Sequence, residues 1–397
     1  MVVALLAGSF CISFLLAWGL NWLALIPWRH SGGKHWTEQA RLFYPARASG
    51  WINTFLIPAN LVSAQFILAP EMPSWWLPLA IAAWLGAVMG TFPFEREVFP
   101  RLDFRRWLLH VCSAWTLRFV FWFVFIGCAL IMPEEFGWPA VAIAGVVLLF
   151  HLWLLWGLRV KLLCWTRLIR PADERLQRIV TETASHMGVR TRGVWMLAGI
   201  YAQAYALPTT RELLFSERLL EICDDKEVSA VCAHELGHLT ESKTTLLRRV
   251  AGTFVLFPLL FIKPAFHADN PFALLLFVIP LLLLLFVKGL SVRMEKRADQ
   301  VATNAQIETG VYGRALEKLY RENLIPAVNA GNRRTHPHLY DRLLAAGVTP
   351  DFPKPPPPKR LCWTSYLMLA GLFVTPTIVG IVKAVLSAGN AVIISIN

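Results

Sequence analysis

The stretch Val231-Cys-Ala-His-Glu-Leu-Gly-His-Leu239 decides how this chain is read. It places His234 and His238 four residues apart, with Glu235 directly after the first. On a helix, residues i and i+4 lie one above the other, so both imidazoles reach one point. Two imidazoles on one face suit a zinc ion, and Glu235 beside them is placed to take a proton from an attacking water. Asp225 is the expected N-cap, and 226–241 contains no Pro and a single Gly, so a helix is predicted there. Taken alone, the motif competes with an ordinary amphipathic helix.

A third ligand is sought downstream, in Arg293-Met-Glu-Lys-Arg-Ala-Asp299. Glu295 and Asp299 are again i and i+4. A catalytic zinc takes three protein ligands and keeps one position open. His234, His238 and Glu295 make such a set, one Zn²⁺ per chain, and Asp299 is placed to orient a ligand imidazole. Without the upstream motif, the same charges read as a solvated helix face.

These residues, and the Glu-x-x-x-Asp step after a membrane hairpin, resemble the integral-membrane zinc peptidases of the CAAX prenyl protease and HtpX family. Glu227-Val-Ser-Ala-Val-Cys-Ala-His234 is similar to that family's approach to its zinc helix. Tyr201-Ala-Gln-Ala-Tyr-Ala206 resembles its substrate strand, with Gln203 standing where the family has Asn. Thr335-His-Pro-His-Leu-Tyr-Asp-Arg342 resembles a late His-Pro…Arg motif, with His338 where a second Pro is common. The resemblance covers about 170–347. It implies peptide hydrolysis, with Glu235 as base and with His336 and Arg342 near the tetrahedral oxyanion. It also implies Gln203, Ala204 and Tyr205 as the strand along which an extended substrate pairs. Read without it, His336 is a turn residue, Arg342 a helix-surface residue, and 203–205 an edge or core strand.

Composition sets the setting. The chain has 397 residues, 56% hydrophobic and 16% charged, with 17 Trp and 25 Phe. That is too apolar for an ordinary soluble protein. The net charge is +12, but the basic residues cluster beside apolar spans, which indicates membrane topology and excludes nucleic acid as a partner. Seven Cys without paired spacing do not form a disulfide framework or a Cys-based zinc site. The first residues lack a basic n-region, so the first span is expected to be retained.

Apolar spans fall near 3–27, 51–69, 75–93, 107–132, 138–160, 250–262, 271–287 and 362–386. The sixth is short, and so tilted or re-entrant. Lys and Arg alternate between the connections. Arg29, Lys34, Arg41 and Arg47 follow the first span, Arg96, Arg101, Arg105 and Arg106 the third, and Arg159, Lys161, Arg167 and Arg170 the fifth. Only acidic residues follow the second and fourth, Glu71 and then Glu134 and Glu135. The positive-inside rule then gives eight spans, with both termini outside and the motif in the cytoplasm. The expected fold is mainly α: a polytopic membrane protein of about eight helices with a small α+β cytoplasmic zinc-peptidase region.

The expected organisation is a bundle of about five spans over 1–160 and a peptidase region over 161–249. A membrane hairpin follows at 250–290, and the second part of the peptidase region at 291–350. A Pro-rich linker at 351–361 leads to a last span and tail at 362–397. Within the peptidase region, 172–187 reads as a helix stopped by Gly188. Strands are expected at 193–200, 202–207 and 213–216, and two helices over 295–322 with a break at Gly310. His110, Arg118 and His151 lie inside spans, where ionisable groups face a bundle interior or cavity.

The function read from these residues is a membrane-embedded zinc endopeptidase acting on membrane-associated or misfolded proteins, with peptide substrates and the lipid bilayer as partners. The alternative is a non-catalytic receptor or scaffold retaining the fold; the intact Glu235 argues against it. A transporter is disfavoured by the large polar segment carrying the motif. A site-2-type protease is disfavoured by Lys226, Glu227, Glu241 and Lys243, which flank the motif with charge. Nothing in the sequence fixes the oligomeric state.

Overall fold

The computed structural model describes residues 2–68, 76–268, 274–306, 308–331 and 337–396. The chain is mainly helical, with one small mixed sheet. It divides into two compact units. One comprises residues 1–104, 324–330 and 355–397, and the other residues 105–323 and 331–354.

The first unit is a bundle of Val2–Ala24, Trp36–Leu68, Trp76–Met89 and Trp363–Ile396. Close approach of the first and third of these rests on Gly86. A Cβ there would lie 2.2 Å from the Phe10 carbonyl oxygen, so any side chain would push the helices apart. The second and last helices are joined by polar groups. Asn60 Nδ2 donates to the Met368 carbonyl at 2.9 Å, and Ser365 Oγ donates to Asn53 Oδ1 at 3.0 Å. Such bonds hold helices together where burial alone offers little driving force.

Five helices among the described residues are long and apolar enough to cross a membrane: Val3–Ala24, Trp76–Val98, Trp138–Trp165, Lys243–His267 and Trp363–Val382. Phe104–Arg118 and Val120–Leu130 make a sixth if the pair, bent by 65°, is one span. Over 51–68, the span expected at 51–69 falls inside the 33-residue helix Trp36–Leu68. From residue 275 onward, the span expected at 271–287 lies in the single helix Leu275–Ala305, whose C-terminal part carries Glu295 and Asp299. The helix runs on past the expected boundary at 290/291, and no Pro stands between 281 and 305. Glu71 lies outside the described residues.

The second unit holds the sheet: β1 (Ile169–Pro171), β2 (Gly193–Leu197), β3 (Ala204–Leu207) and β4 (Glu212–Ser216), in the order β1-β2-β4-β3. β2 and β4 are parallel; the other pairs are antiparallel. Strand alternation sorts the side chains onto two faces. Val194, Met196, Leu213, Phe215, Ala204 and Ala206 face a core shared with the helices Glu174–His186 and Asp225–Leu239. Trp195, Leu197, Leu214, Tyr205 and Leu207 face Leu109, Leu117, Val160 and Leu163, from the helices that flank the sheet on its other side. Both faces are covered, so β4 is buried along its whole length.

The motif helix spans Asp225–Leu239. Its N-cap is Asp224, one residue before the expected Asp225. Asp224 Oδ1 accepts from the Glu227 N–H at 2.9 Å, and Glu227 Oε2 accepts from the Asp224 N–H at 3.0 Å. This reciprocal box requires Glu at the third helical position, which Asp224 satisfies and Asp225 does not. The expected break at Gly310 is present: Gly310 has φ +85 and precedes the helix Val311–Glu322.

Candidate metal centre

The motif helix and the helix Leu275–Ala305 pack together, and Gly237 permits the contact. A Cβ at 237 would lie 3.2 Å from the Cα of Ala298. This brings His234, His238 and Glu295 into one buried group, each offering a ligand atom within 4.8 Å of the others. His234 Nε2 lies 3.6 Å from Glu295 Oε2, and His238 Nε2 lies 3.7 Å from Glu295 Oε1. All three are buried.

The other nitrogen of each imidazole is held from behind. His234 Nδ1 lies 2.8 Å from Tyr312 Oη and 3.1 Å from Asp299 Oδ1. Tyr312 Oη donates its single proton to Asp299 Oδ1 at 2.6 Å. The His234 contact must therefore be donated by the imidazole, which fixes a proton on Nδ1 and turns Nε2 toward Glu295. Arg342 completes the cluster: Nε donates to Asp299 Oδ2 at 2.9 Å, and Nη2 donates to Asp299 Oδ1 at 2.6 Å and Tyr312 Oη at 3.0 Å. His238 Nδ1 meets Glu241 Oε1 at 3.2 Å, and Glu241 is held in turn by Arg249 at 3.4 Å.

The electrostatics follow from this packing. Burial works against a charged His234, but the hydrogen bonds to Asp299 and Glu295 outweigh it and hold the imidazole up at about 9. Burial pushes Asp299 up, yet His234 and Arg342 overcome it and bring the carboxyl down to about 2. Burial pushes the Tyr312 phenol well above its ordinary value. Arg342 is buried, and the Tyr312, Tyr320 and Asp299 groups around it keep its guanidinium firmly charged.

The donor set fits zinc. Two imidazole nitrogens and one carboxylate converge, and each imidazole has an acceptor behind it at Nδ1. Glu235, adjacent in the motif, is buried in the same helix. β3 lies at one edge of the sheet, packed against the motif helix, and carries Ala204 and Tyr205, with Gln203 just before it. Ala202 ahead of it is pinned at both backbone groups by Asn323, at 2.9 and 2.7 Å. His336 lies outside the described residues. Arg342 points to Asp299, Tyr312 and Tyr320. Tyr312 and Glu241 escaped the sequence reading. Glu241 carried a signal, three residues beyond His238 and just past the end of its helix; Tyr312 carried none, since only the fold brings it to His234.

Residues 171–347 match the peptidase family M48. A comparison with curated proteins found no match.

Proposed function

With residues 171–347 belonging to peptidase family M48, which includes the CAAX prenyl protease and HtpX, we propose that this chain is a membrane-embedded zinc endopeptidase for membrane-associated or misfolded proteins. The observation that carries the reading is the buried convergence of His234, His238 and Glu295, with both imidazoles oriented by carboxylates. What zinc supplies when bound there is Lewis-acid polarisation and a water acidic enough to attack near neutral pH. Glu235 accepts the proton of the attacking water and passes it to the leaving amine. Asp299 and Glu241 hold the two imidazoles. Arg342 acts on Asp299 and Tyr312 and so positions the ligand His234, in place of the oxyanion contact expected of it. His336 is assigned to the oxyanion on its motif alone.

The substrate adds as a strand to β3. Ser216 N donates to the Gln203 carbonyl at 2.9 Å, so Gln203 faces β4 with its backbone groups. Antiparallel alternation then turns those of Ala204 and Ala206 outward, where an extended peptide can pair. The eight-span topology, with the motif on the cytoplasmic side, rests on the alternation of Lys and Arg between spans. A cysteine introduced at Glu134 should react with an impermeant reagent from outside; reaction only from the cytoplasm would reverse the orientation.

The direct test is purification in detergent with metal analysis of wild type and Glu295→Ala. Wild type is expected to hold about one zinc and to cut unfolded protein, and the variant to lose both. Full zinc in Glu295→Ala would remove Glu295 from the ligand set.

A further inference from the structure

Arg118 lies outside the matched region, at the C-terminal end of the helix Phe104–Arg118, where the chain bends by 65° into Val120–Leu130. Its Nη2 donates to Tyr205 Oη at 3.2 Å, and that hydroxyl donates to Gln203 Oε1 at 2.7 Å. A span residue thus ends on the strand beside the metal centre. Burial raises the Tyr205 phenol, Arg118 opposes that, and the Glu235 charge adds to it, so the hydroxyl lies within electrostatic reach of both.

Arg118 differs from the ion-paired arginines of its unit and resembles Arg211 and Arg297, which bond only neutral oxygens. Arg170 pairs with Glu217, Arg175 and Arg178 with Asp225, Arg218 with Glu322, and Arg342 with Asp299. Among the described residues, no carboxylate lies within ion-pair distance of Arg118, and its one hydrogen bond is to Tyr205. A guanidinium has five N–H donors in a fork that matches a carboxylate. Arg118 is also exposed, so those donors are accessible.

The strand geometry says what would meet them. Tyr205 and Leu207 project to the sheet face lined by Leu109 and Leu117, whereas Ala204 and Ala206 project to the motif-helix face. A peptide paired with the outward groups of Ala204 and Ala206 places one residue directly opposite Tyr205. Opposed residues on neighbouring strands point to the same face. That residue's side chain is therefore directed to the Arg118 side, and its neighbours are directed away.

We infer that Arg118 is a specificity residue that binds a carboxylate side chain, Asp or Glu, on the substrate residue opposite Tyr205. The inference rests on the peptidase reading and names a substrate preference for it. Arg118 acts by contact with substrate and takes no part in bond cleavage.

The test uses the full-length protein in detergent and a pool of random decapeptides, supplied both as free acids and as C-terminal amides. Cleavage sites are read by mass spectrometry. Wild type should enrich Asp and Glu about tenfold at one position relative to the cut, in both pools, as one charge-assisted pair implies. Arg118→Gln should abolish that enrichment while keeping its zinc content and its cutting of peptides neutral at that position. Arg118→Glu should exchange the preference for Lys and Arg. Enrichment that survives Arg118→Gln overturns the inference and leaves Arg118 to a lipid phosphate or to structure. Enrichment seen only in the free-acid pool, at the chain end, overturns it in favour of the terminal carboxylate. If wild type cuts nothing, the peptidase reading fails separately. Retention of the same pools by zinc-treated Glu235→Gln protein then decides the point, and retention without preference for Asp or Glu overturns it.

Discussion

The two ligand imidazoles are held from behind in different ways. Behind His234 stands a buried cluster, Asp299, Tyr312 and Arg342, drawn from three helices remote in sequence from His234. Behind His238 stands Glu241, only three residues on, backed by a half-exposed Arg249. The first arrangement exists only when the fold is assembled, and the second is almost local. One ligand therefore reports on the tertiary structure and the other on the end of its own helix.

Asp299→Asn should have the largest effect. It removes the charge that pairs with buried Arg342, and breaking such a pair costs on the order of 3–5 kcal/mol. It also frees the His234 ring, for which a loss of about 10–100-fold in metal affinity is expected. Chemical denaturation and zinc competition read the two effects. Glu241→Gln should fall at or below the low end of that range in affinity and leave stability nearly unchanged, because the amide still accepts from Nδ1. Equal losses in the two variants would erase the contrast between the two sites.

A smaller effect is expected from pH. His234 without metal is held up at about 9, so zinc must displace a proton from it below that pH. Zinc affinity should rise about tenfold per pH unit between pH 7 and 9 from this group alone, then level. The linked stability has the opposite sign. A raised histidine stabilises the metal-free fold fully below about 6.5, and that contribution is lost as pH rises toward 9. Asp299→Asn should flatten both slopes, whereas Glu241→Gln should change them little. Affinity that is flat in wild type would mean that His234 carries no proton to displace.

What the sequence made legible follows the same division between local and assembled features. The motif helix, the three strands β2 to β4, the Gly310 break and the i, i+4 pair of Glu295 and Asp299 are written within a few residues. β1 is only three residues long and gave no period to read. The N-cap was misplaced by one residue because both Asp224 and Asp225 can cap, and only the reciprocal bond from Glu227 separates them. The helix Trp36–Leu68 runs through Pro45 and Pro58 and hid its extent behind them. Tyr312 is not marked in the sequence, and Arg118 is marked only as an ionisable group inside a span. Each meets its partner across a long sequence separation, and nothing in the residues around it marks the contact.

The central claim is that a zinc held by His234, His238 and Glu295 works with Glu235 as the base. Glu235→Gln tests it most directly, because the amide keeps the shape of the side chain but cannot accept the proton of the attacking water. Purified beside wild type, the variant should carry the same zinc, about one per chain, and show no hydrolysis of a substrate that wild type cuts. Retained turnover with unchanged zinc would contradict the account.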